Sequence, residues 1–442
     1  MQIVVVGLNH ATSAVGLRER FAFSAHSLPA ALARLRKSVD EGFLLSTCNR
    51  TEAYAFAGHA ESGVRHLTRF LAESGGVSLA TLDGIVYAHA HDAAVRHLFR
   101  VAAGLDSMVI GEDQIVMQVK HALDAARSAG TLGSILERLG SSALATGKRV
   151  RSATGIGRSR VSVMSIAVQA ATEALGTLRG REAVVVGAGR TGAVAAQHLV
   201  AAGALVTVVA RHPARGRALA DSTGASAVGW SGLGKALAAA DVVISCTSAQ
   251  EVVIGEATLG AATRDRGGRP LLCFDLAVPR DIDPAAAAMP GVVLHDMDAL
   301  ARVAAASRVQ RSAELDAAEE IVARRVEQFM EWWRGREVVP AIAQLRSRAE
   351  EIRDAELERA LARLPELTDR GRIVVRGLAS RIVNKLLHQP ITTLKHDPEG
   401  ANMAQIVQYL FGLGAETPRC PVASAEPRDP ALAATTSAEN DP

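Results

Sequence analysis

The 442-residue sequence predicts a multidomain α/β protein followed by an all-helical region, and three observations carry that prediction. Short apolar runs alternate with Ala-rich helical patterns through most of the first 295 residues. A glycine-punctuated segment, GAGRTG at 187–192, follows one such run and opens a helical pattern. No Gly or Pro occurs between Gly291 and Gly335, so a helix of roughly 35–40 residues, ~55 Å long, can form there.

In chain order, residues 2–7 read as a buried strand ending at Gly7, and 28–39 as a helix. FLLS at 43–46 is a second strand running into TCNR at 47–50, with YAFA at 54–57 continuing as strand. Helical patterns follow near 62–74, 91–103 and 112–129, which makes a mixed α/β domain of residues 1–150. Residues 138–172 hold no acid but carry Arg138, Lys148, Arg149, Arg151, Arg158 and Arg160 around TGIG at 154–157; this stretch reads as an interdomain connection. AVVVG (183–187), LVTVVA (205–210), DVVISCTSA (241–249) and LLCFDLAVPR (271–280) read as parallel strands of a second domain, 151–295. The long helix occupies 296–335, with Leu315, Val322, Val326, Phe329 and Trp333 on one face. Pro340 starts further helices, one with Ile342, Leu345, Ile352 and Leu361, another with Ile373, Leu378, Ile382 and Leu386, within a domain of 336–413. A Pro-, Ala-, Ser- and Thr-rich tail, 414–442, lacks periodicity and reads as disordered.

Composition excludes several classes. Aromatic residues are 3%, too few for base-stacking platforms. With 49 basic and 46 acidic residues the chain is no polycation. Cys48, Cys246, Cys273 and Cys420 are widely spaced, which fits free thiols in a reducing cytoplasm. The N-terminus lacks the positive region of a signal peptide, and no stretch reads as a membrane span.

The strand–GAGRTG–helix–strand order is the context of a Rossmann-type dinucleotide site. Gly187 makes the tight turn, Gly189 admits a pyrophosphate, and Gly192 allows close helix–strand packing; Ala188, Arg190 and Thr191 complete the loop. The second strand ends in Ala210-Arg211-His212 rather than an acid. A guanidinium there suits a 2′-phosphate, so the expected cofactor is NADPH.

Cys48 ends an apolar strand beside Thr47, Asn49 and Arg50. Arg50 could lower the thiol pKa or bind a carboxylate in bidentate fashion. A lone strand cysteine is more often a small buried hydrophobe, but a dinucleotide domain downstream makes acyl reduction through a thioester the sharper reading. Cys246 and Cys273 lie within apolar runs and read as core. His89, His91 and His97 lack a second ligand cluster, so no metal is expected; a single polarising or proton-donating histidine fits better.

These segments together resemble the glutamyl-tRNA reductase family. The likeness runs through GLNHATS (7–13), LLSTCNRTEAYA (44–55), HLFRVAAGLDSMVIGEDQI (97–115), GKRVRSATGIGRSRVSVMSIAV (147–168), VVGAGRTG (185–192), DLAVPRDIDP (275–284) and NKLLHQP (384–390). The resemblance implies a catalytic domain, an NADPH domain, a spinal helix and a helical domain that forms a homodimer. It implies that Cys48 is the nucleophile and that His97 serves activity. It places Thr47, Asn49, Arg50, Ser107, Glu112, Asp113, Gln114 and Gln118 about the glutamyl group. Asp113 replaces the family's usual Pro, and Met117 a frequent Gly. The implied reaction is NADPH-dependent reduction of glutamyl-tRNA to glutamate-1-semialdehyde, the first step of five-carbon-route tetrapyrrole synthesis, in the cytoplasm and away from membranes. Glutamate-1-semialdehyde aminomutase is a candidate recipient of the product. The acid-free 138–172 segment and the C-terminal helices are the candidate tRNA surfaces. The competing reading is a reductase of a free acyl thioester or acyl phosphate, which shares the cysteine and the dinucleotide loop.

Overall fold

The computed structural model describes residues 2–112, 114–158, 162–264, 266–306, 312–396 and 400–413. Asp113, Arg160, Cys420 and the tail expected to be disordered lie outside the described residues. The chain divides into two compact units, one through Val326 and one from Glu327.

The first unit begins with β1 (Gln2–Asn9), whose residues are buried almost throughout. The turn α1 (Val15–Arg18) and helix α2 (Leu28–Leu35) lead to β2 (Glu41–Ser46) and β3 (Arg50–Ala57). Helix α3 (Ala60–Gly75), the turn α4 (Leu79–Leu82), strand β4 (Tyr87–Ala90) and helices α5 (Asp92–Ala102), α6 (Gln114–Ser128) and α7 (Ser134–Ala153) follow. The four strands form an antiparallel sheet in the order β2-β3-β1-β4. Its register sets Gly7 opposite Glu52; a side chain at Gly7 would come within 2.7 Å of the Glu52 Cγ, so this glycine makes room for a buried carboxylate.

The stretch read as a connection is mostly helix. Helix α7 runs to Ala153 and α8 spans Val163–Leu175, leaving only a short link between them. Gly140 and Gly147 do not break α7. They are contact points: a Cβ at Gly147 would sit 2.3 Å from the Ala102 carbonyl oxygen, and one at Gly140 2.4 Å from Leu123. The glycines that resemble linker punctuation thus let α7 lie close on α5 and α6.

The nucleotide domain is a six-stranded parallel sheet: β5 (Glu182–Val186), β6 (Leu205–Ala210), β7 (Ser226–Gly229), β8 (Val242–Ser245), β9 (Leu271–Asp275) and β10 (Val292–His295). Helices α9 (Arg190–Ala201), α10 (Pro213–Thr223), α11 (Leu233–Ala239) and α12 (Glu256–Thr263) alternate with the strands, and α13 (Met297–Ala306) follows them. The order β7-β6-β5-β8-β9-β10 reverses direction between β5 and β8. At such a switch point the loops after the two strands diverge and leave a crevice. The strands β4, β7 and β10 are not apparent in the sequence; the equally short β8 is, because its residues form a fully buried apolar run whereas these three are largely unburied edge strands.

Helix α14 (Ser312–Ala362) is continuous through Pro340, where the sequence suggests a new helix. Proline removes one backbone bond, but Val338 and Ala341 on either side are buried with Leu394 and Ala404, and this packing holds the helix together. The expected stripe is buried at Val322, Val326, Phe329 and Trp333. Helices α15 (Asp369–His396) and α16 (Gly400–Leu410) complete the second unit. On α15, Leu378, Ile382 and Leu386, four residues apart, are 50–70% exposed, an apolar face without cover in the single chain; Ile373, 70% exposed, lies on the opposite side of the helix. Among the described residues no helix is long and apolar enough to cross a membrane.

Candidate active site

Thr47, Cys48 and Asn49 form the tight connection between β2 and β3. The Thr47 hydroxyl accepts the backbone N–H groups of Asn49 and Arg50, both at 3.2 Å, and the Thr47 N–H donates to the Arg50 carbonyl at 2.8 Å. The Asn49 carbonyl accepts from the His10 N–H at 2.9 Å, tying the turn to the end of β1. Asn49 is buried, and its side-chain oxygen has no protein partner among the described residues.

Behind the turn lies a buried polar cluster. Glu52 on β3 is fully buried and accepts from Arg50 at 2.7 Å, Tyr54 at 2.7 Å, Tyr87 at 2.6 Å and His97 at 2.9 Å. Arg50, 1% exposed, also bonds the Asp106 carboxylate at 3.0 Å and the Asp106 backbone carbonyl. Burial opposes ionisation of Glu52, but the Arg50 guanidinium, and after it His97 and the Tyr87 hydroxyl, hold the carboxyl well below the usual range. An ionised Glu52 can only accept, so His97 Nε2 is the donor in their 2.9 Å bond. The rings of His89 and Tyr87 lie 4.9 and 5.1 Å from that of His97. Sequence reasoning missed Glu52. Its local sequence, a carboxylate between Thr51 and Ala53, carries no signal; its place opposite Gly7 appears only with the sheet register.

Ser107 and Glu112 sit on the loop between α5 and α6, closed by a 3.0 Å bond from the Gly111 N–H to the Gly104 carbonyl. Ser107 is buried. Gln114 and Gln118 occupy one face of the first two turns of α6. Asp113 lies outside the described residues. Burial pushes the Cys48 thiol up to about 12, and the Glu112 charge pushes the same way; Arg18 and then Arg50 pull down without reversing it. Of the two readings of Arg50, the geometry goes with the carboxylate one: its guanidinium bonds Glu52 and Asp106, and its pull on the Cys48 thiol does not offset burial.

Arg18 belongs to a junction between the two domains of the first unit. Asp298 on α13 accepts the Val15 N–H at 2.7 Å and the Arg18 guanidinium at 3.0 Å. Glu19 accepts the Arg280 backbone N–H at 2.8 Å and its Nε at 2.7 Å. Cys48 and Ala188 of the glycine loop both pack on one core cluster, which joins Met108 and Val109 to the inner face of the parallel sheet.

The glycine loop lines a cleft of about 330 Å³ at the switch point. Gly187 has φ +115°, open only to glycine. A Cβ at Gly192 would meet the Gly187 carbonyl oxygen at 2.1 Å, whereas nothing lies within 4 Å in front of Gly189. That open cradle at the start of α9 fits a pyrophosphate on free N–H groups. Arg211, His212, Arg215 and Trp230 line the other end of the cleft. Cys246, read as core, instead lines the cleft with Thr247 and Ser248, while Cys273 is buried. Asp281 fixes that loop: its carboxylate accepts the Ser245 hydroxyl and the Thr247 N–H, both at 2.7 Å, and the Thr247 hydroxyl at 2.5 Å. Among the described residues no group of His, Cys, Asp or Glu is placed to hold a metal ion.

Residues 6–154 match the family model described as glutamyl-tRNA(Glu) reductase, N-terminal domain, and 317–413 match its dimerisation domain. Residues 169–303 match the shikimate/quinate 5-dehydrogenase model. A glutamyl-tRNA reductase of Roseiflexus sp. (strain RS-1) is 46% identical over 414 residues, covering 93% of this chain and 97% of the relative. That of Moorella thermoacetica is 42% identical over 420 residues, 93% of this chain and 95% of the relative. Among solved structures, the glutamyl-tRNA reductase of Methanopyrus kandleri aligns over 93% of this chain and 99% of its own at 31% identity, TM-score 0.48.

Proposed function

The chain belongs to the glutamyl-tRNA reductase family, and from that premise we propose that the turn at Cys48 and the cleft at Gly187–Gly192 act together in one reductive reaction. The enzyme is an oxidoreductase of the first step of tetrapyrrole synthesis, and its nucleotide domain takes a nicotinamide cofactor. The observation that supports the pairing is that Cys48 and Ala188 both pack against the one core cluster shared by the two domains of the first unit.

An ester to tRNA is already activated, so no ATP is required. The Cys48 sulfur attacks the glutamyl carbonyl, the C–O bond to the ribose breaks, and the thiol proton ends on the departing hydroxyl. When bound, reduced nicotinamide supplies the two-electron equivalent that takes the thioester carbon to the aldehyde level. The C–S bond then breaks, the Cys48 thiolate takes up a proton from solvent, and glutamate-1-semialdehyde leaves. His97 handles the protons, and Glu52 holds its ring. Asn49 offers its unpartnered oxygen to the substrate ammonium. Thr47 shapes the turn, and Ser107, Glu112, Asp113, Gln114 and Gln118 surround the glutamyl group. Arg50 acts mainly through Glu52 and the Asp106 loop.

Arg211, with His212 and Arg215 beside it, favours NADPH by pairing with a 2′-phosphate. Domains of 1–150, 151–295, 296–335 and 336–413 serve catalysis, cofactor binding, linkage and homodimerisation. The exposed apolar face of α15 supports the last of these. The three described cysteines are free thiols, which supports a cytoplasmic setting. The reactivity of an α-amino aldehyde supports its transfer to glutamate-1-semialdehyde aminomutase. The test is NADPH oxidation with purified glutamyl-tRNA: Cys48→Ser loses reduction while NADPH binding stays within twofold. Full activity in that variant removes Cys48 from the reaction.

A further inference from the structure

The reductive reaction consumes a proton. An ester, a hydride and a proton give an aldehyde and an alcohol, so every cycle draws one proton from solvent. In the first cycle the Cys48 thiol supplies the proton of the departing ribose hydroxyl. Once the C–S bond has broken the sulfur is a thiolate, and each later cycle needs a proton from outside. The polar cluster behind the turn is shut off from water: Arg50, Glu52 and Tyr54 are fully buried and His97 is 9% exposed.

The sheet register shows where this cluster meets solvent. Gly7 pairs with Glu52 on one side and Tyr87 on the other, and Val5 pairs with Tyr54 and His89. Directly opposed residues share a face, as do residues two apart on a strand, so Glu52, Tyr54, Tyr87 and His89 stand on the same face. Strand β4 is the edge of the sheet, and His89 is half-buried there. Its ring centroid lies 4.9 Å from that of His97 and 5.6 Å from that of Tyr87, and His97 Nε2 donates to Glu52 at 2.9 Å. From outside inward the order is solvent, His89, His97, Glu52. The groups facing His89 are His97 of α5, Glu52 of β3, Tyr87 of its own strand and Asp106 beyond α5. Burial lowers the His89 pKa most and the His97 charge adds to it, against the opposing pull of Glu52 and Asp106. His89 is therefore neutral at rest and readily passes on a proton that it picks up. Tyr87 cannot do this, because its hydroxyl is committed to Glu52 and burial pushes its pKa up. Asp106 is held by Arg50 at 3.0 Å.

We propose that His89 is the proton inlet of the site: it takes a proton from solvent and passes it to His97, which returns it to the Cys48 sulfur. Only N–H and S–H bonds form and break on this route, nothing is oxidised or reduced along it, and the count closes at one proton per aldehyde released. His89 acts through His97 and is a positioning residue for that proton. The assignment rests on the reading of Cys48 as the nucleophile and His97 as its proton carrier.

The test follows NADPH oxidation with glutamyl-tRNA by full-length wild type, His89→Phe and His89→Ala in two regimes. With enzyme in excess each molecule turns over once on its own thiol proton; with substrate in excess it depends on protons from solvent. His89→Phe is expected to keep the single-turnover rate within about twofold and to lose at least about tenfold in multiple turnover, the low end of what positioned proton transfer contributes. His89→Ala is expected to show the same loss, relieved as imidazole is added to the buffer. In the ligand-free protein, nuclear magnetic resonance with isotope-labelled histidine is expected to show solvent exchange of the His97 ring N–H slowed at least about tenfold by His89→Phe. Equal slowing in both regimes, which a packing role alone would give, overturns the inlet. So does a multiple-turnover rate or a ring exchange rate equal to wild type, or a multiple-turnover loss that imidazole does not relieve. Mass spectrometry of wild type given glutamyl-tRNA without NADPH reads the glutamyl adduct on Cys48 separately, so its absence counts against the nucleophile and not against His89.

Discussion

Cys48 should be a poor nucleophile until substrate arrives, and this can be measured. With the thiol pushed up to about 12 instead of the ordinary 9.0, roughly one molecule in ten thousand is thiolate at pH 8, against about one in ten for an unburied cysteine. Alkylation of Cys48 by iodoacetamide should therefore run about a thousandfold slower than that of a small free thiol, and rise about tenfold per pH unit up to at least pH 10. Burial is the largest cause and the Glu112 charge the next. Glu112→Gln removes the second and should speed alkylation by roughly tenfold, the effect of about one pKa unit. Tryptic peptide mass spectrometry reads Cys48 separately from Cys246 and Cys273, whose thiols burial also pushes up to about 12. A rate plateau below pH 8 in the wild type would refute the argument, since it would mean that Arg18 and Arg50 outweigh burial. A Glu112→Gln rate equal to wild type would remove Glu112 from the balance. The physical gain of this arrangement is selectivity: a protonated thiol resists oxidants, and the substrate's own ammonium can offset Glu112 as it binds.

Four further outcomes follow from the same geometry. Glu52→Gln strips Arg50 of its buried counter-ion and should cost about 3–5 kcal/mol in urea denaturation, while Tyr87→Phe costs about 1 kcal/mol and keeps the fold. Because the folded Glu52 carboxyl is held low, its contribution is present above the usual carboxylate pKa and drains away in acid; wild type and Glu52→Gln should converge in stability as pH falls below about 4. Asp275 runs the other way: burial pushes it up from 3.8 to about 7, so ionising it penalises the folded state as pH rises through that window. Asp275→Asn should therefore gain in thermal midpoint relative to wild type between about pH 4 and pH 7, and a difference that stays constant across that range would contradict the shift. Arg211→Ala should raise KM for NADPH at least about tenfold and leave KM for NADH nearly unchanged, and equal effects on both would remove the 2′-phosphate contact. Asp298→Ala strands Arg18, 2% exposed, and should cost about 3 kcal/mol and slow reduction; stability equal to wild type would show that Arg18 finds another partner.

Much of this was legible in the residues, and the exceptions have physical causes. Strand β1, strand β6 and the glycine loop stand out because each combines a continuous apolar run with a turn residue of one plain purpose. Helix α7 was hidden because Gly140 and Gly147 look like breakers, whereas they mark where another backbone or side chain passes closely. Pro340 misled for a related reason: neighbouring packing outweighed a lost backbone bond. Cys48, His97 and the surrounding TCNR turn could be singled out as reactive residue types. Glu52 could not. Its partners come from β3, β4 and α5, and only the sheet register brings Tyr87 and His97 onto a strand about 40 residues earlier. Trp230, Thr247 and Ser248 escaped for the same reason, since loops from separate strands converge only once the sheet order reverses.

The junction of Val15, Arg18 and Glu19 with Arg280 and Asp298 also has a bearing on how the protein is made. Its two halves are separated by 261–283 residues of chain. At 5–20 residues per second a ribosome needs roughly 15–60 s to cover that distance. Throughout that interval the nascent N-terminal domain carries an arginine that is buried in the finished molecule but has not yet met its carboxylate. Residues 13–21 must therefore stay hydrated until the nucleotide domain has emerged, and the amino-terminal domain, though synthesised first, is completed only after the nucleotide domain.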